Sequence, residues 1–271
     1  MSASSDPVDG LLVAHDGPVL RLTLDRPARK NALTDDIVLA LIAEIDAAGL
    51  DESVRVIALT GTGDDFCSGF DLGQRSGSSG DVRPRVGSVQ RRMQTHVNRL
   101  IPVMLETQVP IVVAATGWSI GLGLNLLLAS DFAIVADDAR LRAPFTSFGF
   151  TPDSGASWLL PRLVGVARAK EMLLLGREVS GTQAADWGMV HRAVAAAEVA
   201  AAAATLVDEL AAAATVAVGL TKTLVQRGLT TDLAHQLADE ALAMELSSRS
   251  DDFREYAAAR REKRDPDFQG R

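Results

Sequence analysis

The sequence predicts an α/β fold with a helical C-terminal part, on three observations. Short β-branched runs, VRVIALTG (54–61) and PIVVAATG (110–117), end at glycine, as buried strands do where they feed loops. Segments with apolar residues at helical spacing alternate with them, which is the order of an α/β core. Beyond Val194 the composition turns to alanine-rich helix, AAAEVAAAAATLVDELAAAAT, with few large core residues.

The elements follow in order. Residues 19–25, VLRLTLD, alternate apolar and polar and then meet Pro27, which gives a strand followed by a loop. NALTDDIVLALIAEIDAAGLD carries a cap signal at Thr34 and a helical apolar face. The segment 73–87 is rich in Gly, Ser and Arg and reads as a mobile loop. The second strand passes through TGWSIGLGLNLLLASD into an apolar helix, and ASWLLPRL begins another. We expect an α/β core over 1–200 and a helical part over 201–271 that needs a partner surface to bury it. The charged ending REYAAARREKRDPDFQGR closes that part, and no repeat period is visible.

Composition narrows the function classes. The chain has 271 residues, 47% of them hydrophobic, enough for a substantial core. A formal net charge of -8 argues against nucleic-acid binding, which needs a basic face for the phosphates. The sequence offers neither a membrane-spanning run nor a secretory leader, so we expect a soluble, cytoplasmic protein away from membranes. One cysteine, Cys67, forms no internal disulfide, and the four histidines lack metal-ligand spacing. Cys67 has no histidine beside it in sequence and reads as a packing residue. His96 reads as a hydrogen-bonded helix histidine. Arg83, Arg85, Arg91 and Arg92 read either as a basic rim or as solubilising charges.

Two glycine-containing turns, DDFCSGFDL and TGWSIGLGLNLLLASD, follow buried strands. Each can expose backbone N–H groups able to stabilise an anion, although tight turns and close helix packing also call for such glycines. GLG is not a dinucleotide fingerprint, because a third glycine and a distal acid are missing. Asp153, in FTPDSGASWLLPRLVG, is a carboxylate among small and apolar residues, and it reads either as a helix cap or as an acid/base group.

Taken together, LDRPARKNAL, GTGDDFCSGFDL, PIVVAATGWSIGLGLNLLLASDFAIVADDARLRAPF, GFTPDSGASWLLPRLVG and LLLGREVSGTQAADWGMVHRAV resemble the crotonase (enoyl-CoA hydratase/isomerase) superfamily. The resemblance runs from about Val19 to the C-terminus. It implies a spiral of ββα units, a C-terminal helical part that makes subunit contacts in a trimer or dimer of trimers, and an acyl-CoA thioester substrate. Coenzyme A then arrives as part of the substrate, with no separate cofactor and no metal. By motif position, the N–H groups of Phe70 and Leu122 form an oxyanion hole for the thioester enolate. Loss of one such donor costs about 3 kcal/mol.

The acid/base positions depart from the hydratase pattern. Two glutamates of a hydratase-like member match Asn125 and Phe145 here, and neither residue titrates. Asp153 sits where several isomerases of the superfamily carry a catalytic carboxylate. The phrase PDSGASWLLPRLVG and the ending REKRDPDFQGR look most like the branch of 1,2-epoxyphenylacetyl-CoA isomerases of phenylacetate degradation. The resemblance therefore implies isomerisation by one base, Asp153, in a pocket with Asn125, Phe145 and Trp158. It places Ala28, Lys30, Ser68, Gly69, Asp71, Leu72 and Lys263 near coenzyme A, Lys263 often from a neighbouring subunit. A hydratase or lyase using Asp153 and a water held by Asn125 is the alternative enzyme, and a non-catalytic acyl-CoA-binding protein is the alternative class.

Overall fold

Six strands, β1 (Leu11–Asp16), β2 (Val19–Leu24), β3 (Val56–Gly61), β4 (Ile111–Ala115), β6 (Phe132–Ala136) and β9 (Arg192–Val194), lie side by side in that order. The computed structural model describes residues 8–71, 73 and 85–271. The expected loop at 73–87, Arg83 within it, and Leu72 fall largely or wholly outside the described residues. Within this sheet the β1–β2 pair is antiparallel and the other described pairs are parallel. A second sheet joins β5 (Trp118–Ile120), β7 (Arg140–Arg142) and β8 (Glu178–Ser180).

The two sheets reveal the repeating unit. The segment β4–β5–α4, with α4 at Leu122–Ala129, places its first strand in the large sheet and its second in the small one. The segment β6–β7–α5, with α5 at Ala156–Leu175, does the same, which is the expected ββα spiral. The helix α5 breaks at Gly165, whose φ of 76° and ψ of 162° are not helical.

Helices bury both faces of β3 and β4, and this explains their unbroken apolar sequences. On one side lies α1 (Asp35–Ala48), capped by Thr34, whose hydroxyl accepts a hydrogen bond from the Ile37 N–H at 3.2 Å. Its buried stripe of Ile37, Val38, Leu41, Ile42 and Ile45 has the helical spacing seen in the sequence. The helices α2 (Ser88–Thr95) and α3 (Val97–Glu106) follow, α3 packing on α1.

After α6 (Gly181–Asp186), the alanine-rich segment opens with α7 (Val199–Ala212), which packs against β3, β4 and β6 through Val199, Ala203 and Val207. The expected division at residue 200 therefore cuts a helix that belongs with the sheet. Of its alanines Ala203 is buried, while Ala200, Ala201, Ala204 and Ala212 are exposed. The helices α8 (Thr215–Gly228), α9 (Leu233–Ser247) and α10 (Asp251–Glu262) complete the chain. They leave Leu233, Leu237, Met244, Phe253 and Tyr256 exposed.

A buried ion pair fastens this part to the sheet. Lys222 Nζ donates to Asp131 Oδ2 at 2.7 Å and to the carbonyls of Met104 and Val109 at 3.0 and 3.2 Å. Asp131 Oδ2 also accepts from the Ile111 N–H at 2.8 Å. Burial raises the Asp131 carboxyl and lowers the Lys222 ammonium, each against the pull of its partner. The last residues are also held. Arg55 donates to Thr215 Oγ1 at 2.7 Å and to the Phe268 carbonyl at 3.0 Å, and Asp252 accepts from the Gln269 N–H at 2.7 Å.

Removing one charge of the buried pair leaves the other uncompensated. Lys222→Met should lower the unfolding free energy by about 3–5 kcal/mol. Pairing it with Asp131→Leu should recover much of that loss, as read by denaturant melts.

Candidate active site

Two loops meet beside the junction of the sheets. Cys67 forms an isolated parallel bridge with Ser119, its N–H donating to the Trp118 carbonyl and its carbonyl accepting from the Ile120 N–H, both at 2.9 Å. The approach is too close for side chains at two glycines. A Cβ on Gly69, whose φ is +92°, would stand 2.6 Å from the Ile120 carbonyl oxygen and 3.4 Å from the Leu122 nitrogen. A Cβ on Gly123 would stand 2.4 Å from the Cys67 carbonyl oxygen. The glycines in both motifs thus serve backbone contact.

Two peptide groups lie beside this contact. Phe70 bridges Leu33: the Leu33 N–H donates to the Gly69 carbonyl and the Asp71 N–H to the Leu33 carbonyl, both at 2.8 Å. Strand alternation turns the N–H of Phe70 itself away from Leu33. Leu122 opens α4, so its N–H has no carbonyl of its own helix to meet. Both residues line a chamber of about 60 Å³.

Asp153 shares that chamber with Phe70, Leu122, Ser68, Gly69 and an aromatic wall of Phe145, Phe148 and Phe150. Phe148 and Phe150 stack with centroids 6.0 Å apart, and Phe145 meets Phe150 edge-on at the same separation. Asp153 also lines a larger cavity of about 730 Å³ among α2, α3 and the start of α5. Met93, Ile101, Leu105 and Trp158 make that cavity largely apolar, while Asn98 and Glu106 add polar groups. Asp153 is therefore the carboxylate common to both spaces among the described residues. Ser154 donates to Asp153 Oδ1 at 3.0 Å.

Several expected site residues take other positions. Asn125, expected in the substrate pocket, is fully buried and lines neither space; its side-chain amide donates to the Asp153 and Ser154 carbonyls. Asp71, expected near coenzyme A, accepts two hydrogen bonds from Arg26 at 3.2 Å. Ala28 lies exposed on a 3-10 turn, and the neighbouring Lys30 pairs with Asp65 at 2.7 Å. Lys263 is exposed at the left-handed C-cap of α10, away from both cavities. Leu72 lies outside the described residues.

His96 joins α2 to α3, and its Nδ1 lies 2.8 Å from Thr95 Oγ1 and 3.0 Å from the Arg92 carbonyl, consistent with the structural reading. Arg85 and Arg91 are exposed, and Arg92 pairs with Asp35.

Sequence reasoning missed the aromatic pair Phe148 and Phe150 and the lining from α2 and α3. It also passed over Asn31, which sits buried at φ 54° between Lys30 and Leu33. Asn31 accepts from the Arg26 N–H at 2.8 Å and donates to the Thr62 and Asp65 carbonyls at 2.9 and 2.7 Å. A PARKNAL turn with asparagine after lysine was the available signal, since asparagine tolerates left-handed backbone.

Burial pushes the Cys67 thiol from 9.0 up to about 12, against a small opposing effect of its bond from the Gly69 N–H. A raised thiol contributes stability that is complete below pH 9.0 and is lost as pH climbs toward about 12. Native protein at pH 8 should leave Cys67 unreacted with a disulfide reagent, while the denatured chain should release one equivalent of thiolate.

Comparisons with known proteins identify the family and the fold. Residues 15–271 match the family model described as enoyl-CoA hydratase/isomerase. The 1,2-epoxyphenylacetyl-CoA isomerase of Escherichia coli (strain K12) is 35% identical over 254 residues, covering 93% of this chain and 95% of that protein. The mitochondrial enoyl-CoA hydratase domain-containing protein 2 of Mus musculus is 34% identical over 261 residues, covering 93% of this chain and 85% of that protein. The crystal structure of enoyl-CoA hydratase from Bacillus anthracis superposes with a TM-score of 0.89 at 29% identity, covering 97% of this chain and 100% of that one. Matched over nearly its whole length by the family model and by a relative at 35% identity, this ββα spiral belongs to the enoyl-CoA hydratase/isomerase family.

Proposed function

We propose that the protein is an acyl-CoA isomerase that shifts a carbon–carbon double bond, or isomerises an epoxide, next to a coenzyme A thioester. The observation that carries this reading is the small chamber, where the Phe70 and Leu122 loops meet Asp153 and no second titratable side chain is present among the described lining residues. The thioester carbonyl sits against the Phe70 and Leu122 N–H groups, which stabilise negative charge on its oxygen. Asp153 removes a proton from the acyl chain, the electrons pass into the enolate, and the same carboxyl returns the proton to a different carbon. One carboxylate suffices for such a transfer, and the 730 Å³ cavity beyond it offers room for the acyl group.

Coenzyme A then runs past Ala28, Ser68 and Gly69, with Lys30 exchanging its contact with Asp65 for a phosphate; Lys263 serves a neighbouring subunit. The exposed apolar side chains of α9 and α10 support assembly as a trimer or dimer of trimers. The reading places the reaction in the cytoplasm, in fatty acid metabolism or phenylacetate degradation, with no cofactor beyond the substrate's own coenzyme A.

A second reading, hydration or lyase chemistry, gains support from Glu106, a second carboxylate on the larger cavity. Oxygen-18 from solvent entering the product marks hydration, whereas isomerisation incorporates solvent deuterium alone.

Asp153→Asn should lower turnover of a 3-enoyl-CoA by about 10²–10⁴-fold with the binding of a saturated acyl-CoA nearly intact. Turnover retained by that variant sinks the assignment, and acyl-CoA binding without proton exchange in the unaltered protein identifies a binding protein instead. Gly69→Ala, which must push the Ile120–Leu122 backbone away, should cut kcat at least tenfold with a smaller effect on acyl-CoA affinity.

A further inference from the structure

We infer that Asn125 and Ser154 are positioning residues that fix the Asp153 carboxyl against the oxyanion loop, an assignment that rests on the proposed role of Asp153. Asn125 lies in the first turn of α4, the helix opened by Leu122, and its N–H donates to the Gly121 carbonyl at 3.0 Å. Its side-chain Nδ2 reaches across to the carbonyls of Asp153 at 3.2 Å and Ser154 at 3.1 Å. Both neighbours are acceptors, so the amide must present its NH₂ edge to them. One fully buried side chain thereby ties the helix bearing an oxyanion donor to the loop bearing the base.

The loop needs such a tie. Ser154 adopts φ 50°, uncommon for a residue with a side chain, and Gly155 follows at φ 87°. Ser154 is buried, and from this turned conformation its hydroxyl donates to Asp153 Oδ1 at 3.0 Å. Carbonyls pinned by Asn125 hold the backbone turned, and the turned backbone points the hydroxyl at the carboxylate. A hydroxyl donor favours the ionised form, which is the form that accepts a proton. Among the described residues, Glu106 from α3 lines the shared larger cavity, and the Arg162 guanidinium of α5 lies 3.9 Å from the centroid of the Trp158 ring. The described lining residues from α2 and α4 carry no charge.

The experiment follows the Asp153 carboxyl directly, by carbon-13 NMR titration of aspartate-labelled protein, with Asp153→Asn identifying the resonance. Ser154→Ala should raise the carboxyl midpoint by at least half a pH unit and move the acid limb of kcat/KM up by a similar amount. Asn125→Asp keeps the volume but sets a carboxyl against two carbonyls. It should lower kcat tenfold or more while affinity for a saturated acyl-CoA changes less than twofold. An unmoved midpoint in Ser154→Ala, or full kcat in a folded Asn125→Asp protein, overturns the positioning role. If Asn125→Asp does not fold, the Ser154→Ala titration alone decides. Failure of the isomerase reading shows separately, as turnover retained by Asp153→Asn, because the NMR midpoint does not depend on turnover.

Discussion

The backbone contact between Cys67–Gly69 and Trp118–Gly123 is the constraint on which the rest of the site depends. Two peptide donors can converge on one oxygen only if two chain segments approach within hydrogen-bond distance with no side chain between them. The bridge at Cys67 and Ser119 provides the registration, and Gly69 and Gly123 provide the clearance. Around it the fold supplies rigidity. The strands β3 and β4 feed the two segments, and helices on both faces of the sheet hold those strands. Asn31 fixes the entry to the first segment by gripping three backbone groups at once.

Polar groups buried in this protein serve mostly to hold chain segments. Lys222 satisfies two carbonyls and a carboxylate, Asp252 holds the final residues, and Asn125 holds the Asp153 loop. Each joins segments far apart in sequence, where local propensity has no influence. Their cost in desolvation is offset because every one meets several partners. The Asn125 Oδ1 is an exception, buried without a hydrogen-bond partner, as expected of an amide chosen for its donor edge.

Much of the architecture was legible because it depends on local patterns. Val56–Gly61 and Ile111–Ala115 announce themselves by β-branching and terminal glycine, and α1 by its Thr34 cap and apolar stripe. The structure brings Phe70, Leu122 and Asp153, singled out from their motifs, to the wall of one chamber. The site was illegible where a side chain's role depends on a distant carbonyl. Asn125 looks like a pocket residue by its place in an apolar helix, yet its partners lie 28 and 29 residues further along the chain. Asp71 looks available for a ligand until Arg26, 45 residues away, is seen to hold it.

The division of the site into a small main-chain chamber and a larger side-chain cavity bears on how such a protein can change over time. The donors proposed to stabilise the anion belong to the peptide backbone, so on that reading substitution at Phe70 or Leu122 alters the shape of the wall without deleting a donor. Side chains on α2, α3 and the aromatic turn can vary in size and reshape the larger cavity while the backbone contact beside the small chamber stays assembled. If Asp153 carries the proton as proposed, moving the carboxylate to another wall of the cavity would redirect where the proton is taken and returned. A lineage built on this geometry can therefore explore substrates and reactions by separate steps, each leaving the other function standing.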